Sequence, residues 1–321
     1  MFRHFCPAFI GLLSLPLCTH AVAQAAPPAC TPVSPYDASV CLSWPDAQKF
    51  KAPYRMVAMV PGCDGFDGAG YDGKLSAKKD GESDSDFKQR VAQRVAEFRK
   101  GLAQQYAERT KELLSRGMGV VRIDFTKPEP ESAAKNATNC SHAINPSALK
   151  DVATRLGEGL ALVRSTHKTK IKDQDFYVVA SSLGAGGVLQ LFKSWSSRPA
   201  AQRPNRAVIY FPACRDDVKL WTAPIPTLLL MGRKDNVPVA LNETQKRFIG
   251  LAENCRAQAQ VAGTRLELRE YDDTYHGFSV PGWTEPMDSV IPTNPPYPFV
   301  AFAYNPKSAA EATKALLDKL K

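Results

Sequence analysis

The stretch Phe176–Phe192, FYVVASSLGAGGVLQLF, decides the reading of the fold. A run of β-formers, DFYVVA (175–180), passes into two serines and then into a glycine-rich apolar segment that reads as a helix. A strand that meets a helix across so short a turn forces one residue outward. The backbone closes there only if the positions two before and two after that residue are small. Centred on Ser182, those positions are Ala180 and Gly184; centred on Ser181, they are Val179 and Leu183, both bulky. Spacing therefore selects Ser182 as a candidate nucleophile. The rival reading is an ordinary turn capped by serine, because Ala180 stands where the stricter pattern has glycine.

Working outward, further apolar runs alternate with helical stretches. RMVAMV (55–60), GVVRID (119–124), AVIYF (207–211), PTLLLM (226–231) and RLELREY (265–271) read as strands. Most are too apolar to face water on either side, so the fold class is α/β, with a mainly parallel sheet covered by helices on both faces. Between the first two runs, apolar residues from Phe87 to Leu113 recur at helical spacing, with Ser83 or Ser85 as the cap and Gly117 as the stop. The Gly-rich polar segment from Cys63 to that helix reads as an exposed loop. More helices are expected over about 146–165, after the two serines, and over about 242–257. A last one has Asn305 as N-cap, Pro306 in its first turn, and Ala309, Leu316 and Leu320 on its buried stripe. The segment 277–304, rich in proline and aromatics, reads as a long irregular insertion in which Trp283, Tyr297 and Phe299 either line a pocket or pack the loop.

A serine hydroxyl attacks only when a base takes its proton. Of the five histidines, only His276 follows the turn, in the loop YDDTYHGFSV after RLELREY. The base needs a carboxylate to hold its tautomer. Asp235, in GRKDNVP directly after the strand PTLLLM, sits where α/β sheets assemble their sites. The alternatives are that Asp235 caps a helix starting near Ala240, or that Asp272 or Asp273 is the acid. Those two stand too close to His276 along the chain to reach around it. The order Ser182, Asp235, His276 is that of an α/β-hydrolase. Attack on a carbonyl also generates an oxyanion, for which the backbone N–H groups of Leu183 and of Cys63, in the loop VPGCDG (60–65), are the candidate donors. Cys63 as a nucleophile in its own right lacks the strand-to-helix setting.

At the N-terminus, Arg3 precedes an apolar run to about Cys18 and a small-residue site at Ala21-Val22-Ala23. Residues 1–23 read as a signal peptide cleaved after Ala23 or Ala25, which leaves 24–321 as one domain exported from the cell or to the periplasm. The apolar run is shorter than the roughly 20 residues a bilayer anchor needs. Six cysteines then remain, Cys30, Cys41, Cys63, Cys140, Cys214 and Cys255. They suit disulfides in an oxidising compartment, and their spacing is not that of a metal site. The formal charge is +9, but lysines and arginines are scattered, so nucleic acid is not an expected partner. The sequence carries no signal of oligomeric state.

The segments VPGCDG, VVASSLGAGG (178–187), LLLMGRKDNVP (228–238) and YHGF (275–278), in that order, resemble the dienelactone hydrolase family of α/β-hydrolases over most of the chain. The resemblance implies a catalytic Ser182, Asp235 and His276, an oxyanion loop at Gly62 and Cys63, a Cys63–Cys140 disulfide, and no cofactor or metal. Two departures bear on the substrate. The name-giving enzymes carry cysteine where this chain has Ser182, and members often have His-Gly where it has Pro61-Gly62. The expected activity is hydrolysis of a small carboxylic ester through an acyl-enzyme. A peptidase or amidase on the same fold, and a non-catalytic binding protein, are the alternatives.

Overall fold

The computed structural model describes residues 30–34, 39–68, 78–126, 146–212, 214, 222–236, 238–242, 247–261, 263, 265–282, 287–291 and 297–321. The expected signal segment, Cys140 and Trp283 lie outside them.

Among the described residues, eight strands form the main sheet: β1 (Thr31–Pro32), β2 (Val40–Ser43), β3 (Tyr54–Val60), β4 (Gly119–Ile123), β5 (Ile171–Ser181), β6 (Arg206–Tyr210), β7 (Thr227–Gly232) and β10 (Leu266–Tyr271). Their order is β1-β2-β4-β3-β5-β6-β7-β10. From β4 to β10 every pairing is parallel, and β2 and β1 add an antiparallel edge. The six runs expected as strands all occupy that parallel block, five inside it and RLELREY as β10 at its edge, and Met56 to Met59, Val178 and Leu229 to Met231 are fully buried or nearly so. A backbone whose side chains are covered on both faces leaves no place for polar residues, which is why the five inner strands read so clearly.

Among the described residues, five α-helices accompany the sheet: α1 (Asp84–Ser115), α2 (Pro146–Thr166), α3 (Ser182–Lys193), α4 (Leu251–Val261) and α5 (Pro306–Lys319). α1 starts at Ser83, whose hydroxyl accepts from the Asp86 N–H, and ends before Gly117 at φ +75°. α5 starts at Asn305, whose side chain accepts from the Ser308 N–H, with proline in its first turn. On β5, Phe176 lies under Arg164 of α2, whereas Ser181, five residues on, meets Tyr106 of α1. Strand side chains alternate faces, so α2 and α1 cover opposite faces of the sheet. α2 and α3 pack closely, since a Cβ on Gly187 would lie 2.2 Å from the Val152 side chain.

Three expectations are corrected. The helix expected over about 242–257 begins only at Leu251. Pro238–Asn242 and Arg247–Gly250 instead form a hairpin, β8 and β9, so Asp235 caps no helix near Ala240. The segment 277–304 is not wholly irregular, because Met287–Ile291 and Tyr297–Phe302 pair as β11 and β12, and Tyr297 and Phe299 fall on that second strand. The loop after β3 is not exposed at its start: Cys63 and Phe66 are buried, and Phe66 stands edge-on to Tyr106 with ring centroids 4.7 Å apart.

Candidate active site

Ser182 is the first residue of α3 and adopts φ +50°, a left-handed conformation that a side chain disfavours by about 1–3 kcal/mol. The strand ends at Ser181 with extended dihedrals, and its hydroxyl makes no capping bond to the helix. That hydroxyl meets the phenol of Tyr106 instead. Burial pushes the Tyr106 phenol up to about 12, with Arg109 and the Ser181 hydroxyl pulling it partly back, so it is a neutral hydrogen-bonding group at ordinary pH. The two serines thus have separate surroundings.

The small residues around the turn do what their spacing implies. Ala180 is fully buried. A Cβ on Gly184 would lie 2.2 Å from the Pro61 carbonyl oxygen and 2.9 Å from Val60 Cγ1, so only glycine lets α3 start against the end of β3. From the other side, a Cβ on Gly62 would lie 3.4 Å from Ser182 Cβ. The loop that carries Cys63 therefore rests on the turn. The sulfur of Cys63 is disulfide-bonded, which removes it as a thiolate nucleophile, and Cys140 as its partner lies outside the described residues.

Asp235 and His276 arrive from two neighbouring strand ends. After β7 the chain turns at once: the Arg233 N–H donates to Tyr271 O, the Lys234 N–H to Thr274 O, and the Asp235 N–H back to Gly232 O. A Cβ on Gly232 would lie 2.2 Å from Thr274 O, so the loop carrying His276 crosses directly over this glycine. Thr274, fully buried, donates to Asp272 O and shares a 2.8 Å hydrogen bond with Ser308, and Asn305 donates to Thr274 Oγ1. The cap of α5 thereby pins the loop.

Within this frame, His276 Nδ1 lies 2.8 Å from Asp235 Oδ2, and His276 Nε2 lies 3.2 Å from Ser182 Oγ. Asp235 is 2% exposed and His276 5%. A carboxylate can only accept, so Nδ1 carries the proton and Nε2 presents its lone pair to the Ser182 hydroxyl, which donates. The arrangement can take a proton from Ser182 and hold the resulting imidazolium. The rival acids are elsewhere: Asp272 pairs with Arg233 and Asp273 with Lys234, both at 2.8 Å, with carboxylates 78% and 82% exposed. Among the described residues, no group of three or more His, Cys, Asp and Glu side chains gathers as a metal site requires.

Two aromatic neighbours of the imidazole escape sequence reasoning. Phe211, at φ +37°, stands edge-on to His276 with centroids 4.7 Å apart, and Phe302 does so at 5.2 Å. Phe211 carried one local signal, its place directly beyond a buried strand at the edge where the site forms; Phe302, from β12, carried none.

A mainly parallel sheet with a strand-to-helix serine turn, an acid after a later strand and a histidine after the last one defines an α/β-hydrolase fold. No protein-family model matches the chain, and no curated protein sequence does. Solved structures share its architecture: esterase 2 of Thermogutta terrifontis, phosphonylated by cyclosarin, superposes with a TM-score of 0.50 at 13% identity, over 92% of this chain and 93% of that one. A putative dienelactone hydrolase from Klebsiella pneumoniae subsp. pneumoniae MGH 78578 gives a TM-score of 0.50 at 11% identity, over 91% and 96%. The chain has the fold of the dienelactone hydrolase-like α/β-hydrolases.

Proposed function

We propose that the chain is an exported serine hydrolase of dienelactone hydrolase type that cleaves small carboxylic esters through an acyl-enzyme. The observation that carries this reading is the buried relay from Asp235 through His276 to Ser182. Ser182 Oγ attacks the ester carbonyl carbon as its proton passes to His276 Nε2, and Asp235 stabilises the imidazolium. The carbonyl electrons move onto oxygen, held by the N–H groups of Leu183 and Cys63. Collapse expels the alcohol, protonated by His276, and leaves the acyl group on Ser182. Water then gives a proton to His276 and attacks, and the acid departs as Ser182 regains its proton.

Supporting observations are the close approach of Gly62 to Ser182, which brings the oxyanion loop to the nucleophile, and the left-handed backbone at Ser182. An esterase of the same fold is known phosphonylated by cyclosarin and by sarin, reagents that react with activated nucleophiles. Export is supported by the leader-like N-terminus and by the disulfides Cys30–Cys41 and Cys214–Cys255, which persist in oxidising compartments. The test is labelling by a fluorophosphonate probe together with turnover of a panel of p-nitrophenyl esters and their matched anilides. Labelling and ester turnover are expected for wild type and Ser181→Ala and lost in Ser182→Ala. Folded wild-type protein that neither labels nor turns over any ester sinks the proposal, and faster cleavage of the anilides moves it to an amidase.

A further inference from the structure

Between α1 and α5, away from Ser182, lies a cavity of about 480 Å³. This is within the roughly 300–1,000 Å³ of small-molecule sites. Buried Arg109, Gln105 and Leu113 of α1, Leu316 of α5, and Ser279 from the segment after His276 line its interior. Gln105 is occupied, since its amide donates to both Ser279 O and Ser279 Oγ at 2.6 Å. Arg109 is different. It is 9% exposed, its guanidinium stacks on the Tyr210 ring at 4.5 Å, and among the described residues it makes no hydrogen bond and no ion pair. A buried cation without a counter-charge is costly, and stacking satisfies the flat face of a guanidinium while leaving its N–H edge unused.

We propose that this cavity binds a monocarboxylate with an apolar tail, its carboxylate held by the N–H edge of Arg109. The charge around the cavity sets the class of anion. Glu108, exposed, and Glu112, half-buried, also line it, the latter paired with Arg116 at 2.7 Å. With Glu112 held by Arg116 and Glu108 exposed to water, Arg109 is the cation left to hold an anion, and the two nearby carboxylates disfavour a phosphate dianion. The apolar wall, from Leu113 and Pro281 to Leu316 and Leu317, suits a hydrocarbon tail. The first turn of α5, at Pro306, also borders the cavity, and the positive end of that helix's dipole favours an anion there. This site does not depend on Ser182 being a nucleophile.

The test is titration calorimetry on the full chain carrying Ser182→Ala, with octanoate, octanol and octyl phosphate as probes. Octanoate is expected to bind, with octanol and octyl phosphate each weaker by about tenfold or more, the worth of a charge-assisted hydrogen-bonded pair. Arg109→Gln should weaken octanoate by about tenfold or more and leave octanol unchanged. Ala310→Trp, at an exposed position on the cavity rim, should abolish octanoate binding without touching Arg109, which decides the matter if Arg109→Gln folds poorly. No heat with octanoate, or binding unaltered by Ala310→Trp, overturns the proposal. Tighter binding of octyl phosphate than of octanoate overturns its assignment to a monocarboxylate.

Discussion

Replacing Asp235 by asparagine tests the proposed relay at its most buried point. The change is nearly isosteric, so Asp235→Asn should fold and melt close to wild type while altering what His276 Nδ1 meets at 2.8 Å. An amide presents either a carbonyl or an NH2. When the NH2 faces Nδ1, the imidazole must accept there and carry its proton on Nε2, which then cannot take the proton of Ser182. Even in the other orientation, no negative charge stabilises the imidazolium. With Asp235 2% and His276 5% exposed, solvent cannot substitute for the lost charge. Loss of the acid in such a relay lowers turnover by about ten-thousand-fold, or about 5 kcal/mol of transition-state stabilisation. The assay is the rate of fluorophosphonate labelling and kcat/KM on a p-nitrophenyl ester, read beside Asp272→Asn and Asp273→Asn. Those exposed, ion-paired carboxylates should leave both rates within about twofold, as surface pairs of this kind carry little energy. A loss below tenfold in Asp235→Asn, or an equal loss in Asp273→Asn, refutes the assignment of the acid.

Other perturbations test the frame around the site. Gly184→Ala places a Cβ 2.2 Å from the Pro61 carbonyl oxygen, so it should cost about 1–3 kcal/mol in urea unfolding and slow labelling of Ser182 by displacing the loop that carries Cys63. The Cys214–Cys255 disulfide closes a separation of 41 residues, and the double alanine variant should lose about 4 kcal/mol of stability by the chain-entropy relation. Ahead of α1, the Arg90 guanidinium lowers the Glu82 carboxyl from 4.5 to about 2. A carboxyl whose folded value is depressed stabilises the fold above pH 4.5, and that contribution disappears as pH falls towards 2. Glu82→Gln should therefore flatten the acid limb of stability against pH in that window, as read from urea midpoints; an unchanged slope refutes the coupling.

How far the sequence reveals this molecule depends on how local each cause is. The five parallel strands inside the sheet, β3 to β7, were legible because burial on both faces is written into each run separately. The edge was not: Thr31–Pro32 and Val40–Ser43 are too short to show a period. The region before α4 misled for a related reason. RFIG followed by LAENCRAQAQV keeps a helical spacing of apolar residues, yet its first four residues pair with Pro238–Asn242, and short apolar runs fit either structure. In the candidate site, Ser182, Asp235 and His276 are each marked by position at a strand end and by chain order. Thr274, Asn305 and Ser308 hold the histidine loop through contacts spanning 31 and 34 residues, and no local pattern announces these. Arg109 reads as one more polar position on a long helix until Tyr210 and α5 are folded against it.

The precision of the relay comes from backbone packed against backbone rather than from side-chain filling. Parallel strands bring their C-terminal ends to one edge, and the registers Ser181 to Tyr210 and Tyr271 to Gly232 keep those ends level. That alone places Ser182, Asp235 and His276 near one another. Sub-ångström placement needs the connecting loops fixed as well, and two glycines do this, Gly184 under the Pro61 carbonyl and Gly232 under the Thr274 carbonyl. The first sets Ser182 against the loop that carries Cys63, and the second sets His276 against Asp235. The Asn305 cap then ties the histidine loop to α5, and Phe211 and Phe302 close on the imidazole edge-on, so the ring has little room to rotate away from either partner. A relay built this way tolerates change on the helix surfaces but not at the glycines, because a side chain can repack around a lost methyl whereas a carbonyl fixed in a loop cannot retreat from a Cβ 2.2 Å away.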